Sequence, residues 1–191
     1  MRTFWTSDLH LGHARIIIPE YCNRPFRDVE HMNKRLIAAI NERCKPEDVL
    51  IHVGDFCCYG NDRGISGSRT KAEEWMAQIN PTVIQVIGNH DKNNSVKGCI
   101  YGMVCKVSHW TCWVQHYPPW NEGAMEAPMG CDAYICGHVH EKWQVEKFGG
   151  LPVVNVGVDA NRYMPLKTDE VIKLIKKAQK LPYKSANKEG C

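Results

Sequence analysis

Short apolar runs alternate with longer segments of helical periodicity along the first half of the chain. The runs are rich in β-branched residues and end at Asp or Gly, which is typical of buried strands. They cover residues 4–6, 49–53, 83–87, 134–136 and 153–156. Residues 103–107 and 111–116 alternate between apolar and polar positions instead, as antiparallel strands do.

Three segments show the apolar spacing of amphipathic helices. The first spans residues 29–43 with Asp28 as the N-cap, the second begins near Thr70, and the third begins with Thr168 as its cap. A strand–helix–strand order builds parallel βαβ units. The pattern therefore predicts an α/β fold, with a mixed sheet core, outer helices and two sheets packed face to face.

Length and composition predict one domain over residues 1–181, followed by a flexible polar tail over 182–191. The chain has 191 residues, of which 43% are hydrophobic. It has neither a signal-like start nor an apolar run near the ~20 residues of a membrane helix. We expect a cytoplasmic protein without a membrane partner. The ten cysteines lack zinc-finger spacing and are expected to be reduced thiols.

The net charge of +3 is concentrated near the C-terminus. Five lysines fall at helical spacing there, opposite an apolar face: Lys173, Lys176, Lys177, Lys180 and Lys184. Such a stripe fits either a solvated helix face or a nucleic-acid footprint.

Metal-ligating side chains follow almost every predicted strand. They are Asp8, His10, Asp55, Asn89, His116, His138 and His140. Each alone is weak evidence, since Gly-Asp and Asp-x-His are common. Ligands of open α/β sheets bind beyond the carboxyl ends of the strands, where all of these should meet. Two carboxylates, one amide oxygen and four imidazoles would supply enough donors for two cations.

These residues carry a family resemblance. The motifs Asp8-x-His10, Gly54-Asp55, Gly88-Asn89-His90-Asp91, His116 and Gly137-His138-x-His140 resemble, in this order, the five motifs of the calcineurin-like metallophosphoesterases. More locally, residues 6–13, 24–26 and 155–159 are similar to those of small, single-domain bacterial and phage members. The resemblance implies a four-layer αββα sandwich of two mixed β-sheets flanked by helices, with a two-metal site at the rim.

The resemblance also implies a role for each motif residue. Asp8, His10 and His140 would hold the first metal, Asn89, His116 and His138 the second, and Asp55 would bridge both. His90 would face the substrate, where it stabilises phosphoryl oxygens or protonates the leaving oxygen.

Five further assignments accompany this set. Asp91 either orients the His90 ring as part of the catalytic pair or holds a turn, and both readings stay open. The candidate substrate-binding residues are His13, Arg24, Asn89 and Tyr117, with ordinary loop positions or aromatic packing as the alternative for His13, Arg24 and Tyr117.

The predicted function is phosphoester hydrolysis by metal-activated hydroxide. The expected partner is a phosphate-ester substrate, with a nucleotide or nucleic-acid phosphodiester favoured and a phosphomonoester, as in a phosphoprotein, second. A non-catalytic metal-binding scaffold, like the phosphoesterase-like retromer subunit, is the rival. Two divalent ions are expected, with Mn²⁺ favoured over Fe, Zn²⁺, Ni²⁺ or Mg²⁺. The oligomeric state stays open.

Overall fold

The computed structural model describes residues 1–60 and 68–182, so all but one residue of the predicted tail, and Lys184 with it, lie outside the described residues. Its strands are β1 (Thr3–Thr6), β2 (Val49–Val53), β3 (Thr82–Val86), β4 (Met103–Val107), β5 (Trp110–Val114), β6 (Ala133–Cys136), β7 (Val145–Phe148), β8 (Leu151–Asn155) and β9 (Leu166–Lys167). Its α-helices are α1 (Val29–Arg43), α2 (Ala72–Met76) and α3 (Thr168–Gln179). Short 3-10 helices span Ala14–Ile17, Asp91–Asn94 and Asp159–Asn161.

The strands form two mixed sheets, as predicted. The first has the order β3-β2-β1-β9, in which β1, β2 and β3 run parallel and β9 is antiparallel to β1. The second has the order β4-β5-β6-β8-β7, with antiparallel strands at both edges. The prediction of a mixed α/β fold built on two sheets with helices is therefore confirmed.

Alternation along β1 and β2 divides the apolar core in two. Phe4 and Leu50 pack with the apolar face of α1. Trp5 and Ile51 point to the opposite face, where they join buried residues of the second sheet and of α3 such as Ile135. Neighbouring residues of a strand point to opposite faces, so this sheet is covered on both sides. The carboxyl ends of its strands are thereby left at the rim.

The helix α3 packs against β7 and β8 of the second sheet and contacts β1 and β9 of the first. Val171, Ile175 and Ala178 form its buried face. The described lysines of the stripe, Lys173, Lys176, Lys177 and Lys180, are all exposed. This arrangement matches the amphipathic pattern and leaves both readings of the stripe open.

Two of the predicted helix starts are displaced by one residue. Asp28 caps α1 as predicted, with its carboxylate accepting from the His31 amide at 2.7 Å. The N-cap of α3 is Lys167 instead of Thr168, because the Thr168 hydroxyl donates to the Thr3 carbonyl and accepts from the Trp5 indole. The N-cap of α2 is likewise Lys71, one residue after Thr70.

Two further features bear on the sequence predictions. The nine described cysteines are all free, as expected for reduced thiols. Among the described helices, none has the length and apolar character needed to cross a bilayer.

Candidate metal centre

The structure brings the seven candidate ligands together at one rim of the two sheets. Asp8 and His10 follow β1, Asp55 follows β2 and Asn89 follows β3. His116 follows β5, and His138 and His140 follow β6. The rims of the two sheets meet at Asp8, because its amide donates to the Gly54 carbonyl at 2.9 Å and its carboxylate accepts from the His138 amide at 3.1 Å.

Five of these seven residues have left-handed backbone conformations. The φ angles are 57° at Asp8, 49° at His10, 59° at Asp55, 71° at His138 and 49° at His140. Positive φ is uncommon outside glycine and tends to cluster at functional sites. The abrupt turns allow short segments to direct two side chains, two residues apart, into one space.

The first donor set consists of Asp8, His10 and His140. One ligand atom from each lies within 4.8 Å of the others. The rings of His10 and His140 are stacked with centroids 5.2 Å apart. His10 Nε2 is fully buried and makes no hydrogen bond. Buried nitrogens of this kind are almost always partnered, so this atom fits a metal ligand.

The second donor set consists of Asn89, His116 and His138. Asn89 Oδ1 lies 3.1 Å from His116 Nε2 and 3.1 Å from His138 Nδ1. The other nitrogen of His116, Nδ1, lies 2.8 Å from the Val53 carbonyl oxygen. A carbonyl only accepts, so Nδ1 carries a proton, and Nε2 is the nitrogen of this ring that could bind a cation.

Asp55 lies between the two sets. Its Oδ2 is 3.5 Å from His10 Nε2 and 3.4 Å from His116 Nε2. Its Oδ1 accepts from the His90 amide at 2.9 Å. One oxygen is thus held by the backbone, and the other faces imidazole nitrogens of both sets.

The buried charges of the centre perturb one another. Burial opposes the ionisation of Asp55, but contact with His116 and the charges of His116 and His10 outweigh it and lower the pKa of Asp55. Burial also lowers the pKa of His116, yet the Asp55 carboxylate raises that pKa to about 9. Asp8 and His138 show the opposite balance. Burial raises the pKa of Asp8 and lowers the pKa of His138 to about 4.

Asp159 is a residue of the site that the sequence analysis did not identify. Its Oδ2 accepts from His140 Nδ1 at 2.8 Å. Burial lowers the pKa of His140, but this hydrogen bond dominates and raises the pKa to about 11. Asp159 could have been found in the sequence, because it is an acidic residue that closely follows a predicted strand, as the candidate ligands do.

Arg24 was predicted to contact the substrate, but its guanidinium is buried and its N–H groups are hydrogen-bonded within the protein. Its Nε and Nη2 each donate to Asp159 at 2.8 Å. Nη1 and Nη2 also donate to the carbonyl groups of Leu9 and Asp8, at 2.9 and 2.6 Å. Arg24 therefore holds Asp159 and the turn after β1 in place.

Asp91 takes the turn role instead of orienting His90. Its carboxylate accepts from the amides of Asp55, Phe56 and Gly88 at 2.7–2.9 Å. Within the described residues, no hydrogen bond joins Asp91 to the His90 ring. The two turns that carry Asp55 and Asn89 are thus tied together by one buried carboxylate.

His90 lies beside the first donor set. Its ring centroid is 5.0 Å from that of His10 and 5.7 Å from that of His13. Its Nδ1 lies 3.9 Å from the Cys58 thiol, a neighbour that the sequence analysis also missed. His13 is buried, with Nδ1 3.3 Å from His10 Nδ1.

Tyr117 is half-buried beside the second donor set. Its ring is 5.2 Å from that of His116 and 4.8 Å from that of His138, both edge-on. It lines a cavity that reaches Asn89. The substrate-binding role of Tyr117 stays a prediction, and its place in the cavity wall is compatible with it.

Comparisons with known proteins identify several similar chains. An uncharacterized protein of Methanocaldococcus jannaschii is 28% identical, and the match covers 93% of each chain. The crystal structure of a protein of unknown function from Aquifex aeolicus is 23% identical with a TM-score of 0.65, over 91% of this chain and 99% of that one. At that identity the likeness shows the fold. A phosphoesterase from E. coli is more distant, at 14% identity and a TM-score of 0.48 over 82% and 78% of the two chains.

A family model identifies the superfamily of the chain. The model of the calcineurin-like phosphoesterase superfamily domain matches residues 1–168, which includes every strand end at the rim. Metallophosphoesterases of this family bind divalent metal ions, and the clustered donors at the rim suit such ions. The chain belongs to the calcineurin-like phosphoesterase superfamily.

Proposed function

We propose that this chain is a two-metal phosphoesterase that hydrolyses phosphodiesters. The observation that carries the proposal is the position of Asp55 Oδ2, within 3.5 Å of a histidine nitrogen from each donor set. A carboxylate oxygen that faces both donor sets is placed to be shared by two neighbouring cations.

The donors divide between the two cations as follows. Asp8, His10 and His140 would hold one ion, Asn89, His116 and His138 would hold the other, and the Asp55 carboxylate would contribute to both. Mixed imidazole, carboxylate and amide ligation suits Mn²⁺, our favoured ion, while Fe, Zn²⁺, Ni²⁺ and Mg²⁺ are alternatives. The buried and unpartnered His10 Nε2 supports this assignment.

Bound divalent ions would supply Lewis-acid charge to the phosphoryl oxygens and would acidify the attacking water. The protein's own groups do the rest. His90, beside His10, would stabilise a phosphoryl oxygen or protonate the leaving oxygen. Asp91 would act indirectly, because its carboxylate accepts from the backbone amides of Asp55 and Phe56 and so positions Asp55.

An accessible rim favours a diester over a monoester. The segment between His90 and His116 forms a 3-10 helix and the strands β4 and β5, which belong to the second sheet. Asn89 is exposed and His138 is half-buried. A phosphodiester carries two substituents and needs such room, and the nucleotide or nucleic-acid type is favoured among diesters.

Hydrolysis of bis-p-nitrophenyl phosphate by the Mn²⁺-loaded protein tests the proposal, together with the metal content per chain. We expect two ions per chain. His90→Ala should lower kcat by about 10²–10⁴-fold with the metal content intact. Asp55→Asn should lower the metal content itself. The exposed His109 provides a matched control, and His109→Ala should leave both measurements unchanged.

Two results would contradict the proposal. A wild-type protein that binds two ions but turns over neither the diester nor p-nitrophenyl phosphate would be a metal-binding scaffold. A protein that turns over only the monoester would be a phosphatase.

A further inference from the structure

A cavity of about 350 Å³ opens beside the second donor set. Residues that line it include Asn89, Lys92, Tyr101, His116, Tyr117 and Met125. Ligand pockets in proteins start at roughly 300 Å³, so this one accommodates a single small ring system. Asn89 and His116 belong both to the lining of this cavity and to the second donor set. A phosphate at the metal centre could therefore place one of its substituents in the cavity.

Two tyrosines form the aromatic wall of the cavity. Tyr117 is fixed by the edge-on rings of His116 and His138 and by Gly123, where a Cβ would come within 2.7 Å of the Tyr117 ring. Tyr101 is 63% exposed, which is a large apolar area to leave in water. Two aromatic rings beside a candidate phosphate site, one held in place and one exposed, are suited to stack on a planar base.

The polar groups of the cavity favour an anionic ligand without selecting one base. The Lys92 ammonium lies 5.7 Å from the centre of the Tyr101 ring and would attract a phosphate. The Gln115 amide is already used, since it donates to the Met125 carbonyl at 3.2 Å and accepts from the Met125 amide at 2.8 Å. The cavity therefore offers stacking and positive charge, with the Gln115 side chain unavailable to read a base edge.

His90 lies outside this lining, next to His10 of the first donor set. If His90 protonates the leaving oxygen, the leaving group departs on that side. The cavity would then receive the substituent that stays on the phosphate.

We propose that this cavity is a subsite for the nucleobase of a nucleoside phosphodiester, stacked on Tyr101 and Tyr117 with Lys92 at its anionic side. The subsite rests on the proposed phosphoesterase function and gives it a substrate class. It binds the nucleoside that remains on the phosphate, with little preference among bases.

Two substrates with the same leaving group test the subsite on the Mn²⁺-loaded protein: thymidine 5′-(p-nitrophenyl phosphate) and methyl p-nitrophenyl phosphate. Wild type should prefer the thymidine ester by about 10-fold in kcat/KM, the lower range of one stacking interaction. Tyr101→Ala should remove most of that preference. Tyr59→Ala, at an exposed tyrosine outside the cavity, should retain it.

Three kinetic results would overturn the subsite. Wild type could show no preference for the thymidine ester, or Tyr101→Ala could retain the full preference. Tyr101→Ala could also lower kcat/KM equally for both esters, which would place the p-nitrophenyl ring, and thus the leaving group, in the cavity.

Calorimetry separates failure of the subsite from failure of the proposed function. If neither ester is hydrolysed, the proposed phosphoesterase function fails. The subsite is then tested by comparing the affinities for thymidine monophosphate and methyl phosphate. Tighter binding of thymidine monophosphate that Tyr101→Ala weakens would support it. Equal affinity for the two ligands would overturn it.

Discussion

His140 and Asp159 are joined by a hydrogen bond of 2.8 Å between Nδ1 and Oδ2. The bond keeps a proton on Nδ1, which makes Nε2 the nitrogen that could bind a cation. Asp159 is in turn held by both Nε and Nη2 of Arg24. The two buried side chains of Asp159 and Arg24 thus orient one donor of the proposed first ion.

Asp159→Asn should weaken Mn²⁺ binding by about 10–100-fold, the usual effect of losing a carboxylate behind a histidine ligand. Calorimetric titration of the metal-free protein with Mn²⁺ measures the change. The matched control is Asp169→Asn, because Asp169 pairs with Lys173 on the exposed face of α3. Unchanged affinity in a folded Asp159→Asn protein would show that this bond does not set the metal affinity.

Gly137→Ala should disrupt the centre although it replaces none of the candidate ligands. A methyl group at Gly137 would overlap Ser7 Oγ and would lie 2.5 Å from Asp8 Oδ2. Asp8 must then shift, and a displacement of about 1 Å at a catalytic site can cost roughly 10²-fold in rate. Gly149→Ala is the control for crowding, since a Cβ there meets no atom within 4 Å, and the strain of its φ of 57° falls in the turn between β7 and β8. Diester hydrolysis and metal content at equal protein concentration would be compared, and wild-type values for both variants would disprove the crowding argument.

The strands that carry the ligands were predictable because each is a short β-branched run that ends in a polar residue. β2 and β4 have the predicted bounds, and the helix over Val29–Arg43 does as well. β7 and β9 were missed. The first carries Glu146 and Lys147 within four residues, and the second has only two residues, too few to show a period.

The site was predictable as far as ligand types follow strand ends, and it was not predictable where burial decides. Arg24 reads in the sequence as a loop cation, but it is enclosed with Asp159, a partner 135 residues away. Asp91 follows His90 directly, yet its carboxylate turns away to backbone amides of another loop. Contacts over such separations leave no local pattern.

Arg24→Met should destabilise the fold, because it leaves the Asp159 carboxylate buried with only part of its partners. Removing one member of a buried ion pair costs about 3–5 kcal/mol of unfolding free energy. Urea unfolding followed by circular dichroism measures this loss. Arg27→Met is the control, since Arg27 is exposed beside Asp28 and should leave the midpoint nearly unchanged. Equal midpoints for the two variants would contradict the structural role given to Arg24.

Asp48 should make stability depend on pH. Its carboxylate accepts from the Arg2 side chain and amide and from the Lys45 amide. These hydrogen bonds, that of the Arg2 side chain first, lower the pKa of Asp48 below the value of about 3.9 that an unfolded chain has. A lowered pKa stabilises the fold above the unfolded value, and the stabilisation is lost as the pH falls through the folded value. Asp48→Asn should therefore lower the unfolding free energy at pH 7 more than at pH 3.

Urea unfolding of wild type and Asp48→Asn at both pH values measures this difference. Asp132→Asn is the control variant. Asp132 is exposed and accepts from one backbone amide, that of Thr111. Because Asp48 ties the start of β1 to the start of β2 through Arg2, its charge matters only while that bond network is formed. A loss for Asp48→Asn that is the same at pH 7 and pH 3 would mean that packing, and not the ionised carboxylate, is what Asp48 contributes.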